Sequence, residues 1–418
     1  MTLKPLSILS YMSSKDNSID VKAEYDRRLN SESSFKTSLF PVLTDKNGHQ
    51  SDVLPIFFIE DRNLVISSNK IQNNSRKIIQ LSHELPGIAQ NSYIQSLLTD
   101  EIQFSNEIEG VKTDRKEIGT IVDNLQNNNT PSQRRLVSTV KKYLDILNEP
   151  VIRINNFEDL RNLYDNLTAG EILAEKLPDG EFFRDSSVRI GNSTQTVHRP
   201  PVDEKKIKEK LYSLIDFMNN DDIPPIEKSL VTHFMFENTH PFNYGNGRMG
   251  RYLLSQYLSK KIDSFTALSI SSSIHENQNK YYKMFKDADK FENYAELTFF
   301  IGQMMNLIIE GQESVLENMS RLLSTLNQAR DRLKQDLDFA DEENIEFEVL
   351  MIFVQSKLFS VDSSLGIKDT DLINLLYNQN TKKYKKIKVK GIIEKYEKLG
   401  ILEKINGKPL QHEIRIQL

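Results

Sequence analysis

The sequence contains no cysteine and no tryptophan in its 418 residues. The lack of cysteine excludes disulfides, thiolate metal sites and cysteine nucleophiles, and it fits a reducing compartment. Without tryptophan, the 15 tyrosines and 21 phenylalanines must supply all aromatic packing and stacking. Any catalytic chemistry therefore has to use other groups, such as imidazole, guanidinium and backbone amides.

Long apolar runs are also missing. The longest, Val349 to Val354, is far shorter than the ~20 residues that a membrane-spanning helix needs. The apolar patch from Leu6 to Met12 is broken by serines and has no convincing cleavage site after it, so no signal peptide is predicted. We therefore expect a soluble, cytoplasmic protein without a membrane partner.

Neither sign of charge dominates, because 54 Lys and Arg face 59 Asp and Glu, for a formal net charge of −5. This balance argues against a globally cationic nucleic-acid-binding protein, although it leaves room for a local basic patch. The composition, with 38% hydrophobic and 27% charged residues, is that of a core-forming protein. On a prior of roughly 150 residues per domain, the length predicts about three domains.

Helical periodicity dominates from about residue 71 onward, after a polar segment at 1–52 and an apolar stretch at 53–59 that is a buried strand or an extended edge. A β-hairpin that turns at Gly191-Asn192 is predicted within 180–201. We expect an N-terminal region of mixed structure at 1–85, a mostly helical region at 86–335 and a separate unit at 345–418. The predicted helices cover 88–108, 114–127, 132–147, 157–167, 203–218, 226–239, 247–260, 276–288 and 293 to about 336.

The most informative stretch runs from His240 to Arg251 and reads His-Pro-Phe-Asn-Tyr-Gly-Asn-Gly-Arg-Met-Gly-Arg. A glycine-rich turn that leads into a helix leaves unpaired amides at the positive end of the helix dipole, where they can bind phosphate. Arg248 and Arg251 fall on nearly the same helix face and can hold a polyphosphate. The imidazole of His240 can accept a proton from a hydroxyl. Together these features favour phosphoryl or nucleotidyl transfer.

Two alternatives use the same residues. The glycine-rich segment can be a plain turn between helices, with His240 as a helix cap. The histidine, the phenylalanine and the two arginines at fixed offsets favour a catalytic site over a plain turn. His233, Glu237 and His240 share one helix face, as metal ligands can. Their spacing is not that of the familiar zinc proteases, so a structural role for His233 and Glu237 is favoured.

Three motifs resemble those of the Fic (Fic/Doc, Fido) family, whose enzymes mostly transfer AMP from ATP to protein hydroxyls. The stretch from His240 to Arg251 resembles the family signature. The stretch from Arg184 to Gly191, followed by His198-x-Pro-Pro, resembles the β-hairpin flap that aligns the target. Ser105-Asn-Glu-Ile-Glu109-Gly resembles the inhibitory motif. The resemblance spans roughly 86–330 and implies a mainly α fold: a helical Fic core with a β-hairpin flap.

The resemblance assigns roles to individual positions. His240 is implied as the general base, and Phe242 as the anchor of the loop. The implied nucleotide-binding residues are Gly245, Asn246, Gly247, Arg248, Met249, Gly250, Arg251, Tyr281 and Asp289. The implied target-docking flap residues are Val188, Arg189, Ile190 and Gly191.

Inhibition is implied by two residues on one helix face, Ser105 and Glu109. Glu109 would pair with Arg251, repel the γ-phosphate and leave ATP bound unproductively. The expected function is thus a protein adenylyltransferase that is auto-inhibited by Glu109 and modifies a Ser, Thr or Tyr hydroxyl of a target protein. The alternatives are a hydrolase that removes AMP and a nucleotide-sensing, DNA-binding regulator.

One position departs from the family pattern. Tyr244 occupies the place where the family usually has the Asp or Glu that binds Mg²⁺, and a neutral phenol is a poor ligand for this cation. Asn243 does not replace the missing charge. We therefore expect ATP as substrate, no metal ligand from the protein itself, and Mg²⁺ bound mainly through the phosphates.

The C-terminal unit turns basic. The run Thr381 to Lys390 contains six lysines and no acid, and a hairpin is predicted around Asn406-Gly407. This pattern resembles a winged helix (α+β), which can bind DNA through its lysines or can bind a protein instead. A lysine run is also typical of a solvated helix face. A homodimer is left open by the sequence.

Overall fold

The computed structural model describes residues 3–126, 135–191, 196–339, 342–359 and 366–415. The chain is mainly helical, which confirms the predicted fold class. It divides into two compact units. The first consists of Met1–Arg76, Asp100–Thr113 and Asn124–Glu313, and the second of Lys77–Thr99, Asp114–Asp123 and Ser314–Leu418.

The helices follow most of the predicted segments, and several have shifted ends. They are α1 Leu6–Ser13, α2 Val21–Leu29, α3 Arg62–Glu84, α4 Gly87–Ile108, α5 Arg115–Gln126, α6 Val137–Asn148, α7 Phe157–Thr168, α8 Glu204–Asn219, α9 Pro225–Thr239, α10 Asn246–Lys261, α11 Ser264–Ala267, α12 Ile270–Glu276, α13 Gln278–Ala288, α14 Thr298–Asp336, α15 Ile345–Phe359, α16 Asp369–Gln379 and α17 Lys386–Lys398.

The strands are short and form small antiparallel sheets. They are β1 Ser34–Lys36, β2 Leu43–Thr44, β3 Gln50–Ser51, β4 Phe57–Ile59, β5 Ile190–Gly191, β6 Thr196–His198, β7 Ile367–Lys368, β8 Leu402–Gly407 and β9 Leu410–Ile414. The described pairings are β1 with β4, β2 with β3, β5 with β6, and a three-stranded sheet of order β7-β9-β8. The predicted hairpin turn at 192 lies outside the described residues.

The N-terminal segment is more regular than the sequence suggested, because α1 and α2 form within 1–52. The side chain of Asp20 caps α2 by accepting a hydrogen bond from the Ala23 amide. The buried face of α2 carries Tyr25 and also Arg28, whose guanidinium lies 2.7 Å from buried Glu296. Because the buried face of α2 includes a charged residue, the spacing of apolar residues alone did not predict this helix.

Two predicted helices have different ends. The segment expected at 276–288 is split into α12 and α13 at Asn277, whose ψ of 27° is not helical. The helix expected from 293 begins only at Thr298. The delay has a backbone cause, since Tyr294 and Ala295 have φ angles of 54° and 57°, which an α-helix cannot accommodate.

The antiparallel pair α9 and α10 forms the centre of the first unit. Nearly every residue of both helices is buried, including Phe234, Phe236, Tyr252 and Leu258. A helix that is apolar on most sides belongs in the interior of a domain. The loop between these helices is therefore held from both ends by the best-packed part of the unit.

The second unit contains α15, α16 and α17 together with the sheet β7-β9-β8. The hairpin lies where it was predicted, but its turn is two residues further along the chain. Gly407 pairs with Leu410, so Lys408 and Pro409 form the turn in place of Asn406-Gly407. Within the described part of the chain, the helices are all too short or too polar to span a bilayer.

Candidate active site

The loop between α9 and α10 begins with His240 in the left-handed conformation, with φ 48° and ψ 62°. Its N–H donates to the carbonyl of Phe236 at 2.9 Å, which closes the end of α9. Arg184 fixes the same peptide from the other side, since its Nε donates to the His240 carbonyl at 2.8 Å. His240 is thus held by the backbone, and its imidazole is left to face the cleft described below.

Arg184 is fully buried without an ion pair to a described carboxylate. Its guanidinium donates to the carbonyls of Ser186 and Pro201 at 2.8 and 2.7 Å, in addition to that of His240. These acceptors lie on both ends of the flap segment and on the loop. Arg184 therefore connects the base of the flap to His240, the residue predicted as the general base.

Phe242 anchors the middle of the loop. It is fully buried and stacks on Tyr164, with ring centroids 3.7 Å apart. Asn246 braces the same segment, because its side-chain amide donates to the Phe242 carbonyl at 2.7 Å and accepts from the Phe242 amide at 2.9 Å. The Asn246 side chain thus supports the loop, while its backbone opens α10.

The first turn of α10 points amides toward the loop. Gly245 has a φ of +79°, a conformation that favours glycine, and it precedes the helix start at Asn246. The opening N–H groups of a helix have no carbonyl partner inside the helix, and the helix dipole is positive at this end. The predicted anion-binding geometry is therefore present at the start of α10.

Gly247 leaves room for the carboxylate of Glu109. A β-carbon at this position would collide with the carboxylate of Glu109 and would lie 3.0 Å from a guanidinium nitrogen of Arg251. The carboxylate consequently lies directly over the first turn of α10. This is the space that a phosphate bound to the amides would need.

Arg251 holds that carboxylate. Its guanidinium lies 3.0 Å from a Glu109 oxygen and also donates to the hydroxyl and carbonyl of Ser105 at 3.0 and 2.7 Å. Burial opposes the charge of Arg251, but the nearby carboxylate of Glu109 raises its pKa above the ordinary value. Ser105 and Glu109, the residues predicted to inhibit, therefore both contact Arg251, which is buried.

Arg248 faces a different partner. Its guanidinium lies 2.6 Å from Glu171 and 3.4 Å from the amide oxygen of Asn106, and Glu171 is also hydrogen-bonded to Thr139. Although the two arginines are three residues apart on one helix, only Arg251 lines the cleft. In the described conformation Arg248 neutralises a buried carboxylate.

A cleft of about 560 Å³ brings the central residues together. It is lined by His240, Gly247, Arg251, Glu109, Glu237 and Tyr281, among others. Burial lowers the pKa of His240 to about 3, and the nearby charges of Arg184 and His198 act in the same direction. The imidazole is therefore neutral near pH 7, which leaves a ring nitrogen able to accept a proton, although a pKa this low makes it a weak base in this conformation.

Residues 155–258 match the family model for the Fic/DOC family. This segment belongs to that family. Fic proteins are in general transferases of nucleoside monophosphates, so the match supports a Fic-type enzyme. The matched residues include His240, Phe242, Gly247 and Arg251, which form the loop and the first turn of α10.

Solved Fic structures are similar to this chain at low identity. A Fic family protein from Desulfovibrio desulfuricans is 16% identical, with 86% of this chain and 97% of that chain covered and a TM-score of 0.49. A Fic-domain-containing signaling protein from Bacteroides thetaiotaomicron is 17% identical, with 60% and 97% covered and a TM-score of 0.43. Fic-1 from C. elegans is 15% identical, with 63% and 74% covered and a TM-score of 0.42.

Glu237 is a cleft residue that the sequence suggested only as a buried structural partner. Burial raises its pKa to about 8, the charge of Glu109 adds to this effect, and Arg251 opposes it. A β-carbon on Gly250 would collide with the Glu237 carboxyl group. The signal in the sequence was its position three residues before His240, close to the end of α9.

The helix-face group His233, Glu237 and His240 does not form a metal centre. The Nε2 of His233 lies 2.8 Å from the hydroxyl of Tyr281, and burial lowers the pKa of His233 to about 3. Across the described ranges, no cluster of three or more His, Asp or Glu residues is arranged to hold a metal. This arrangement agrees with the structural role favoured for His233.

Tyr281 and Asp289, two of the implied nucleotide-binding residues, both line the cleft. Burial raises the pKa of Tyr281, and its hydroxyl is occupied by His233. One Asp289 oxygen accepts from the Asn238 side chain at 2.8 Å, and the other lies 3.4 Å from Nδ1 of His198. The predicted residues Gly245, Asn246, Arg248, Met249 and Gly250 do not line it.

Of the four predicted flap residues, two line the cleft and two do not. Ile190 and Gly191 line the cleft, whereas Val188 is half-buried and Arg189 is exposed outside it. Ile190 pairs with His198 across the two strands, and Nε2 of His198 lies 2.8 Å from the carbonyl of Asn238 on α9. His198 thus attaches the second flap strand two residues before His240, a contact that the sequence did not reveal.

Tyr244 does not offer a metal site. Its side chain is 49% exposed, and its backbone carbonyl accepts a hydrogen bond from the Tyr164 hydroxyl at 3.0 Å. The amide of Asn243 is used by Ser186, to which it donates at 3.0 Å. Mg²⁺ prefers carboxylate and phosphate oxygens, so the protein groups at this position do not fit the metal that the family usually binds here.

Proposed function

We propose that this chain is a protein adenylyltransferase that transfers AMP from ATP to a Ser, Thr or Tyr hydroxyl of a target protein, and that Glu109 inhibits it. The observation that carries the proposal is one cleft that contains His240, Gly247 and Arg251, with the carboxylate of Glu109 placed on Arg251. A neutral imidazole, a helix N-terminus and a guanidinium are the groups that nucleotidyl transfer requires.

In the proposed reaction, the amides of the first turn of α10 bind the phosphates and absorb the charge that develops on them. The target hydroxyl oxygen forms a bond to the α-phosphorus while the bond between that phosphorus and the pyrophosphate oxygen breaks. His240 accepts the hydroxyl proton, and pyrophosphate leaves. Arg184 contributes indirectly, because it holds the His240 carbonyl and the base of the flap.

Inhibition follows from position and charge. The Glu109 carboxylate lies over Gly247 and uses the Arg251 guanidinium that a γ-phosphate would otherwise contact. A polyphosphate that entered this space would meet a carboxylate at close range, and like charges repel strongly in a site with little water. Removal of the Glu109 side chain therefore exposes both the amides and the guanidinium.

The proposed substrate is ATP, and Mg²⁺ would reach the site bound mainly through the phosphates. Tyr244 and Asn243 give it no carboxylate, so the residues of this chain contribute position and charge while the nucleotide carries the metal. The metal, where it is bound, neutralises phosphate charge and leaves the proton transfer to His240.

The test is label transfer by the Glu109→Gly variant. We expect α-labelled ATP to label the protein or an added target at a rate at least tenfold above the wild type, while γ-labelled ATP leaves no label. The matched control is Glu107→Gly, because Glu107 lies on the same helix but bonds to Gln103 and His275. Label from γ-labelled ATP, or equal rates in the wild type and Glu109→Gly, would contradict the proposal.

Hydrolytic removal of AMP is a second candidate, favoured by one observation. Glu109 lines the same cleft as His240, with its side chain 31% exposed, so it can orient a water molecule there. The wild type should then release AMP from a target that Glu109→Gly has labelled. Retention of all the label over the same period excludes this candidate.

A further inference from the structure

A lysine lies beside the residue that replaces the family's metal ligand. Lys176 ends the short 3₁₀ turn Ala174–Lys176, and its Nζ lies 4.8 Å from the centre of the Tyr244 ring. Among the described residues, Lys176 forms no ion pair, although Glu175 is its neighbour in the chain. The ammonium group is therefore neutralised by no carboxylate.

The other cations near the loop are already neutralised. Arg248 pairs with Glu171, and Arg251 pairs with Glu109. Even after Glu109 is displaced, Arg248 remains with its buried carboxylate. A triphosphate at the start of α10 would then meet Arg251 and the helix dipole, and further positive charge must come from a metal or from another side chain.

The ring of Tyr244 keeps Lys176 close to the start of α10. Tyr244 directly precedes Gly245, whose neighbours across the gap are Ile172 and Thr168 on the segment that leads to Lys176. An exposed cation–π contact is weak, so the flexible lysine can leave the ring for a phosphate at little cost. A charged contact between ammonium and phosphate is stronger than the contact that it replaces.

We infer that Lys176 supplies the positive charge that the family takes from a carboxylate-bound metal, so that nucleotide binding by this chain does not require a divalent cation. The inference rests on the proposed function, because it concerns the same nucleotide site. It names Lys176 as a phosphate-binding residue and Tyr244 as its support.

The experiment measures the affinity of a non-hydrolysable ATP analogue by calorimetry in the Glu109→Gly background, with Mg²⁺ and with EDTA. We expect the two dissociation constants to agree within about threefold. In EDTA, Lys176→Ala should raise the constant at least tenfold, and Lys176→Arg should keep it within threefold, because the charge is preserved. Circular dichroism melts establish that each variant is folded.

The matched control is Lys208→Ala. Lys208 also lies over an aromatic ring, at 5.0 Å from Phe182, but its ammonium group pairs with Glu181, whereas Lys176 has no ion pair among the described residues. Its removal should leave affinity unchanged. Loss of binding in EDTA by Glu109→Gly itself, or an unchanged constant in Lys176→Ala, would overturn the inference.

Failure of the proposed function has a different signature. A Glu109→Gly protein that binds the analogue but transfers no α-label with Mg²⁺ or Mn²⁺ lacks the proposed activity, whatever Lys176 does. A protein that transfers label only with a divalent cation, and loses the analogue in EDTA, has the activity but not the lysine-based site.

Discussion

Tyr244 occupies the position where the Fic family usually has a metal-binding carboxylate. Its phenol replaces an expected carboxylate, and its ring carries Lys176. We predict that Tyr244→Asp in the Glu109→Gly background raises Mg²⁺-dependent AMP transfer, since a carboxylate there can bind the cation. Transfer rates measured against Mg²⁺ concentration should become steeper and reach a higher plateau.

Tyr244→Phe is the control for this change, because it keeps the ring under Lys176 without adding a charge. Its rate should follow that of the Glu109→Gly parent at every Mg²⁺ concentration. If Tyr244→Asp also follows the parent, position 244 does not limit metal use and the account of this residue is wrong.

The sequence predicted part of the site at this scale. The loop from His240 to Arg251 could be assigned because its residue types and spacing are local, and the contact of Glu109 with Arg251 came from the resemblance to Fic proteins. The pairing of Arg248 with Glu171 could not be predicted from the sequence, because 77 positions separate the two residues and no local pattern connects them. The polar contacts of Tyr281 and Asp289 depend likewise on tertiary structure.

Helix α4 contains Ser105 and Glu109, the residues proposed to inhibit the site, and one buried carboxyl group on this helix fixes its position. Glu101 is fully buried and accepts from the Ser271 amide and hydroxyl at 2.7 Å each, and from the Ser255 hydroxyl at 3.0 Å. These contacts attach α4 to α10 and α12 one and two turns before Ser105 and Glu109.

Burial raises the pKa of Glu101 to about 7, although its hydrogen bonds oppose the shift. Because the folded state then holds this proton more tightly than the unfolded chain, the stability contributed by Glu101 is present below the ordinary value of about 4.5 and is lost as pH rises toward 7. Urea unfolding should show a loss on the order of 2–3 kcal/mol between pH 4.5 and pH 8 from this group.

Glu101→Gln removes this group and should flatten the pH dependence of the free energy of unfolding by that amount. The exposed Glu158→Gln on α7 is the comparison and should leave the profile as in the wild type. Parallel profiles for the wild type and Glu101→Gln would show that Glu101 does not titrate in this interval.

The elements themselves were predicted well where the apolar pattern was periodic and a side chain capped the helix start, as in α7 and α8. The start of α14 was predicted too early, because Tyr294 and Ala295 adopt left-handed backbone angles that are not typical of these residue types.

The six lysines of the run Thr381 to Lys390 have different surroundings in the structure. Lys383 pairs with Glu348, whereas Lys388 on α17 is exposed. DNA binding by this unit stays a prediction, to be tested by salt-dependent affinity for a duplex.

At the scale of the whole chain, the N-terminal segment is part of the catalytic unit. Residues 1–76 and the loop from His240 to Arg251 fall in one compact unit, and buried Arg28 pairs with Glu296 across 268 positions. Arg28→Ala leaves Glu296 buried without its partner, and we expect a loss of about 3–5 kcal/mol in the free energy of unfolding, measured with urea.

Arg27→Ala is the matched control, because the ion pair that Arg27 forms among the described residues is with Glu24 and its side chain is 64% exposed. Its effect should stay within about 0.5 kcal/mol. Equal effects of the two substitutions would mean that the buried pair does not join the N-terminal segment to the rest of the unit.

The central claim is that AMP transfer by this protein depends on His240 and is prevented by Glu109. The most direct measurement is the intact mass of three proteins after incubation with ATP: the wild type, Glu109→Gly, and Glu109→Gly combined with His240→Ala. We predict that Glu109→Gly gains the mass of AMP, that the wild type gains at most a tenth as much, and that the double variant gains none. An equal gain in all three proteins would contradict the account.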